Sequence, residues 1–110
     1  MLDSRRLRVL VQVARQGSFS AAAETLGYTQ PAVSKIVATL ERQLGTILVD
    51  RGLRPLRLTE AGDALAHRAG AAFEQIAAAQ LEVDAIANLS AGRLRLGTFS
   101  SAAGRSALPT

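Results

Sequence analysis

The chain has 110 residues, of which 48% are hydrophobic, 20% are charged and none is cysteine. This length allows one compact domain with an appended element, and the lack of cysteine excludes a disulfide framework, a thiolate metal site and a cysteine nucleophile. No apolar run approaches the ~20 residues of a membrane span. Nine of the 13 Lys and Arg residues, but only four of the nine Asp and Glu residues, lie in residues 1–58. This basic half is therefore expected to contact a polyanion.

The first predicted element is a helix over residues 3–16. Asp3 or Ser4 would cap its start, and Gly17 would end it. The apolar positions expected to face the core are Leu7, Leu10, Val11 and Ala14. This helix is expected to support the two helices that follow it.

Two further helices, joined by a tight turn, organise the chain. The first is predicted from Ser18 to Leu26 and the second from Thr29 to Leu44, with Gly27 supplying the positive φ of the turn. Small residues in the first helix, Ala22 and Ala23 among them, allow a second helix to cross closely. The pattern predicts a helix-turn-helix.

The second of these helices has two chemically different faces. Its apolar face consists of Val33, Ile36, Val37, Leu40 and Leu44. Its polar and basic face consists of Gln30, Pro31, Ser34, Lys35, Ala38 and Arg42. The second face lacks carboxylates, which is typical of a helix that enters a DNA groove. The alternative is an ordinary amphipathic helix in a helical bundle.

A small β-hairpin, or wing, is predicted after Gly45. Its strands are Ile47–Val49 and Leu56–Leu58, and residues 50–55 form a Gly/Pro turn that carries Arg51 and Arg54. Beside a helix-turn-helix, such a wing is expected to reach the DNA backbone or the minor groove. The alternative is a hairpin that merely caps the core.

A long helix is predicted from a cap at Thr59 to about Leu89, without proline. Its apolar residues alternate in steps of four and three, which is a heptad seam. The seam consists of Leu65, Ala69, Ala72, Ile76, Ala79, Val83 and Ile86. This regular pattern predicts pairing with a second copy of the chain, and the alternative is a helix lying on its own domain.

Residues 90–110 are expected to form a hinge and the truncated start of a further domain. Arg93–Thr98 alternates like a strand, and no partner strand follows it. We therefore expect the sequence to be a fragment whose second domain begins near Arg93.

The residues offer little material for catalysis. His67 is the only histidine, and it has no neighbour at ligand spacing. No nucleophile–base pair, metal cluster or glycine-rich phosphate loop is found, so an enzyme is the least favoured class. An interaction protein, in which a helical dimer with a winged fold serves protein contacts alone, remains open.

Together the segments resemble one known family. The combination of GSFSAAAETLGYTQPAVSKIVATLERQLG, ILVDRGLRPLRLTEAG and GRLRLGT is similar to the N-terminal region of LysR-type bacterial transcriptional regulators. The resemblance covers essentially the whole chain. It implies a mainly α fold, with a winged helix-turn-helix of three helices and a two-stranded wing over residues 1–58. A linker and dimerisation helix over residues 59–89 would follow.

The resemblance also implies a function and a set of sites. Such proteins bind inverted-repeat operators in double-stranded DNA as homodimers or dimers of dimers, through a recognition helix and a wing. The implied DNA-binding residues are Ser18, Thr29, Gln30, Pro31, Ser34, Lys35, Arg51 and Arg54. Lys35 would contact either a base or a phosphate. No cofactor or metal is expected in this region, whereas a small-molecule effector is expected for a full-length cytoplasmic regulator.

Overall fold

The computed structural model describes residues 2–52 and 54–96, with side chains described as far as Gly92. In chain order, its elements are α1 (Ser4–Gln16), α2 (Phe19–Leu26), α3 (Gln30–Leu44), β1 (Val49–Asp50), β2 (Arg57–Leu58) and α4 (Glu60–Leu96). Two compact units are distinguished, residues 1–72 and the segment from residue 73 onward. The predicted mainly α fold, with three helices, a two-stranded wing and a long following helix, is confirmed.

Side-chain caps fix where the first three helices begin. The hydrogen bonds run from the Arg5 amide to Asp3 (2.9 Å), from the Ala21 amide to Ser18 (2.9 Å) and from the Ala32 amide to Thr29 (3.2 Å). Each of the three helices ends at a glycine with a positive φ, namely Gly17, Gly27 and Gly45. These caps satisfy backbone groups that have no partner within the helices, and they keep the connections short.

The core of the first unit joins the helices to the start of the wing. Its largest fully buried side chains are Val9, Leu10, Val13, Val33, Val37, Leu40, Leu48 and Val49. Ala22 and Ala23 are also buried, which lets α2 approach its neighbours closely. On α1, Val9 and Val13 are more deeply buried than the predicted Leu7 and Ala14, so α1 presents a wider face to the core.

The wing is a short antiparallel pair, with Val49 opposite Leu58 and Asp50 opposite Arg57. Its first strand begins two residues later than predicted, and its second begins one residue later. The carbonyls of Ile47 and Leu48 bond to Thr59, the residue between β2 and α4. The Thr59 hydroxyl donates to the Ile47 carbonyl (2.7 Å), and the Thr59 amide donates to the Leu48 carbonyl (2.9 Å).

The first turn of α4 passes very close to this backbone. The Thr59 hydroxyl accepts a hydrogen bond from the Gly62 amide (3.1 Å) and so caps the helix as predicted. A Cβ added at Gly62 would overlap the Leu48 carbonyl oxygen and lie 2.8 Å from its carbon. Position 62 therefore has no room for a side chain.

The end of α4 differs from the prediction. The helix was expected to end near Leu89, but it continues to Leu96, so the strand expected from Arg93 is wrong as far as Leu96. Arg and Leu are good helix formers, and a helix satisfies its backbone within one segment, whereas a strand needs a partner. The rest of the predicted strand and the start of a further domain lie in residues 97–110, outside the described residues. Among the helices described, none is both long and apolar enough to cross a membrane.

Candidate nucleic-acid interface

The two predicted faces of α3 are separated in the structure. Val33, Val37 and Leu40 have no exposed surface. On the other side, the exposed residues are Gln30, Pro31, Lys35 and Arg42, and Ser34 is half-buried. Leu44, which was predicted on the apolar face, is 40% exposed near the end of the helix. The polar side chains of the other face are available to a partner.

The start of α3 borders an open cleft of about 580 Å³. The start of α2 and the turn of the wing form its other walls. Five of the eight predicted DNA-binding residues line this cleft, namely Ser18, Gln30, Ser34, Arg51 and Arg54. Residues from three separate segments of the chain therefore meet at one concave surface.

The remaining predicted residues lie outside the cleft. Thr29, Pro31 and Lys35 are exposed at the same end of α3, but they do not line the cleft. Ser20 does line it and was not predicted. The sequence signal for Ser20 is its position two residues after Ser18, which places a second hydroxyl at the start of α2.

Ser18 and Thr29 have both been placed as helix caps. Each hydroxyl oxygen accepts a backbone hydrogen bond, from Ala21 and Ala32 respectively. A hydroxyl that accepts such a bond still has its own O–H to donate. The amides at the two helix starts carry partial positive charge, so both positions suit an anionic oxygen.

Arg51 makes contacts within the protein that the prediction of a wing contact to DNA did not include. One terminal guanidinium nitrogen donates to the Glu41 carboxylate at 3.0 Å, and the second terminal nitrogen donates to the Ser34 carbonyl at 3.5 Å. The guanidinium carbon also lies 5.4 Å from the centre of the Phe19 ring, within cation–π range. About a third of the side chain remains exposed (37%), so part of its donor set still faces the cleft.

Glu41 is the functional residue that the sequence analysis missed. It is 8% exposed, and one carboxylate oxygen accepts from the amides of Leu48 (2.8 Å) and Val49 (3.2 Å). Burial acts to raise the pKa of Glu41, but these two amides and Arg51 outweigh it and hold the pKa below its ordinary value of 4.5. The carboxylate is therefore ionised and fully paired at neutral pH.

A signal for this role is present in the sequence. Glu41 lies one helical turn after Val37, and Val37 in turn follows Val33, so the carboxylate falls on the edge of the buried stripe. A carboxylate in such a position must find donors, because an unpaired buried charge is costly. Arg51, in the segment that follows α3, is a cation within reach.

Glu41 should make the fold sensitive to acid. Its folded pKa lies below its unfolded value, so its contribution is fully present above about pH 4.5 and is lost as the pH falls through the folded pKa. We expect Glu41→Gln to be less stable than the parent by about 1–3 kcal/mol at pH 7. The difference should shrink towards pH 3, as followed by urea unfolding monitored by circular dichroism.

Glu24→Gln is the matched control for this measurement, since Glu24 is exposed on α2. It should follow the parent across the whole pH range. A constant gap between Glu41→Gln and the parent from pH 7 to pH 3 would contradict the role given to the Glu41 charge.

The predicted seam of α4 divides between the two units. In the first unit, Leu65 packs against the core and Ala69 is only 7% exposed, whereas Ala72 is exposed. In the second unit the seam is open to solvent, with Ile76 at 59%, Val83 at 55% and Ile86 at 42% exposure. The residues of this open seam are Ile76, Ala79, Val83 and Ile86. Their role in a dimer stays a prediction.

The sequence matches one family over most of these elements. The profile of the family described as bacterial regulatory helix-turn-helix protein, lysR family, matches residues 4–63. The HTH-type transcriptional regulator CrgA of Neisseria meningitidis serogroup C (strain 8013) is 44% identical over 94 residues. That alignment covers 86% of this chain but 31% of CrgA, so the chain spans about a third of this relative's length.

Solved structures agree with the sequence match. BenM_DBD in complex with benA site 1 DNA superposes with a TM-score of 0.73 at 31% identity, covering 78% of this chain and 97% of that one. Full-length LysG from Corynebacterium glutamicum with bound effector Arg has a TM-score of 0.73 at 29% identity, covering 81% of this chain and 30% of LysG. The chain therefore belongs to the LysR family of bacterial regulatory helix-turn-helix proteins.

Proposed function

We propose that residues 1–58 bind double-stranded DNA in a sequence-specific manner. The observation that carries the proposal is that α3 presents no free carboxylate. Its only acidic residue, Glu41, is buried and paired, whereas Gln30, Lys35 and Arg42 are exposed. A surface that excludes carboxylates and offers amides, hydroxyls and cations suits a groove lined by phosphates.

The exposed groups suit distinct parts of a duplex. The Gln30 amide can both donate to and accept from an adenine edge in the major groove, and the Ser34 hydroxyl can bond to any base. Lys35 supplies a point charge for a base or a phosphate. Arg54 of the wing lines the same cleft as Gln30 and Ser34, and it suits the DNA backbone or the minor groove.

A similar protein supports this assignment. BenM_DBD, which shares the fold at 31% identity, was solved on a DNA site. The relatives of the chain are described as transcriptional regulators, so we assign this chain to DNA binding and gene regulation and not to catalysis. A protein of this kind acts where the chromosome lies, which for a bacterial regulator is the cytoplasm.

The second unit suits dimerisation. We propose that α4 pairs with α4 of a second copy through the open seam, so that two winged units bind an inverted repeat. Two such dimers could bind a longer operator side by side as a dimer of dimers. Such dimerisation covers the exposed apolar side chains of Ile76, Val83 and Ile86.

Regulation is proposed for the whole protein. LysG was solved with its effector Arg, and the chain spans only a third of that protein's length. We propose that a small-molecule effector acts outside the residues described here, and that these residues need no cofactor. The described residues hold no cluster of side chains suited to a metal ion.

The proposal is tested by binding to random-sequence duplexes with iterative selection at near-physiological salt, followed by titration at several salt concentrations. We expect an inverted repeat to be enriched, and affinity to fall steeply with salt because phosphate contacts release counterions. Gln30→Ala should cost about 1–3 kcal/mol on the selected site and relax the preference at one base position.

Gln43→Ala is the control, since Gln43 is exposed near the other end of α3. It should leave both affinity and preference unchanged. Absence of binding at any salt would overturn the proposal and favour a protein-interaction module. Unchanged discrimination by Gln30→Ala would show that the reading face is assigned wrongly.

A further inference from the structure

A single buried carboxylate holds the wing against α3. One Glu41 oxygen accepts both the Leu48 and the Val49 amides, and the other oxygen accepts from Arg51. Leu48 precedes β1, Val49 is its first residue, and Arg51 follows its last residue. Glu41 therefore fixes the backbone of the first wing strand and the first arginine of the wing turn together.

Arg51 in turn lies where three segments meet. Besides Glu41 on α3, it contacts the Ser34 carbonyl and the Phe19 ring at the start of α2. Ser34, Phe19 and Arg51 all line the cleft. The guanidinium carries five N–H donors in a rigid fork, so two bonds within the protein leave others for an anionic oxygen in the cleft.

We propose that Glu41 is a positioning residue for DNA binding, which holds the wing and Arg51 in register with α3 without touching the DNA. This role rests on the proposed function. It adds that Glu41 sets the distance between α3 and the wing, the two elements proposed to contact DNA. Arg51 then donates its remaining hydrogens to a phosphate whose place is fixed relative to Gln30 and Ser34.

Electrostatics alone gives the opposite expectation, which makes the inference testable. Removing a negative charge from a DNA-binding surface raises the net attraction to phosphates. If Glu41 acts only through its charge, its neutralisation strengthens binding. If it acts by holding Arg51 and β1, neutralisation weakens binding although the protein becomes more basic.

The experiment measures affinity for the selected duplex as a function of salt. Glu41→Gln keeps the size of the side chain and removes its charge, and we expect about a ten-fold loss of affinity, which is within the usual range of coupling between residues in contact. Glu24→Gln makes the same charge change at an exposed position on α2 and should bind as well as the parent or slightly better.

A double-mutant cycle separates positioning from a general loss of structure. Arg51→Met should also weaken binding and lower the salt slope by about one. If Glu41 acts through Arg51, adding Glu41→Gln to Arg51→Met should cost far less than it costs the parent. Full additivity would mean that Glu41 does not act through Arg51, and would overturn the inference.

Folding is checked by circular dichroism at the binding temperature. Should Glu41→Gln fail to fold, Arg51→Lys decides, since it keeps the charge and loses the fork. If Arg51→Lys binds DNA as weakly as Arg51→Met, the positioning role is supported. If Arg51→Lys binds as tightly as the parent, the positioning role is overturned. Parent-like affinity of folded Glu41→Gln overturns this inference alone, whereas a parent chain that binds no DNA overturns the proposed function.

Discussion

Val83→Glu should convert a dimer into a monomer and lower affinity for an inverted repeat by about 100-fold. Val83 is 55% exposed in the single chain and lies in the open seam of α4. A second copy would bury this position, and an unpaired carboxylate placed there would be desolvated at a high cost. Sedimentation equilibrium gives the oligomeric state, and titration on whole and half operators gives the loss of affinity.

Ala85→Glu is the control for this substitution. Ala85 is exposed and lies two residues further along, so it points about 200° around the helix from Val83. It should leave the dimer and its DNA affinity intact. Disruption by Ala85→Glu and not by Val83→Glu would mean that the seam is assigned to the wrong face, and a monomeric parent chain would contradict dimerisation through α4.

Gly62→Ala should destabilise the first unit by about 3 kcal/mol, the upper end of the usual cost of overpacking. The added methyl group would overlap the Leu48 carbonyl oxygen, which also accepts a hydrogen bond from the Thr59 amide. The neighbouring atoms are backbone and cannot rotate away, so β1 or the first turn of α4 must shift. Urea unfolding followed by circular dichroism measures the loss.

Gly92→Ala provides the contrast within the same helix. Nothing lies within 4 Å of a Cβ at Gly92, and the position is helical. Alanine there should raise helix stability by up to about 1 kcal/mol. If Gly62→Ala were as well tolerated as Gly92→Ala, the close approach of α4 to Leu48 would be contradicted.

Local sequence signals predicted the helices because their causes are local. Ser18, Thr29 and Thr59 are hydroxyl residues placed before apolar periodic segments, and each accepts the expected backbone hydrogen bond. The glycines at 17, 27 and 45 end the helices by taking positive φ. Of the predicted DNA-binding residues at the cleft, Ser18 is itself a cap, and Gln30 and Ser34 lie on the helix that Thr29 caps.

The missed features depend on contacts that no local pattern contains. Arg51 was expected to serve the wing alone, whereas its position depends on Glu41, ten residues earlier, and on Phe19. Alternation of Arg and Leu from Arg93 suggested a strand. Four alternating residues without a partner strand are a weak signal, and the structure continues the helix to Leu96. Features of this kind depend on which residues come into contact in the fold, and the periodicity of a short segment does not identify those contacts.

The division of α3 into a buried and an exposed face has an evolutionary consequence. Val33, Val37 and Leu40 hold the helix in place, while Gln30, Lys35 and Arg42 contribute nothing to the core. Exposed substitutions typically change folding stability by less than about 0.5 kcal/mol. Lineages can therefore exchange the reading residues, and so acquire new target genes, while one scaffold is inherited unchanged.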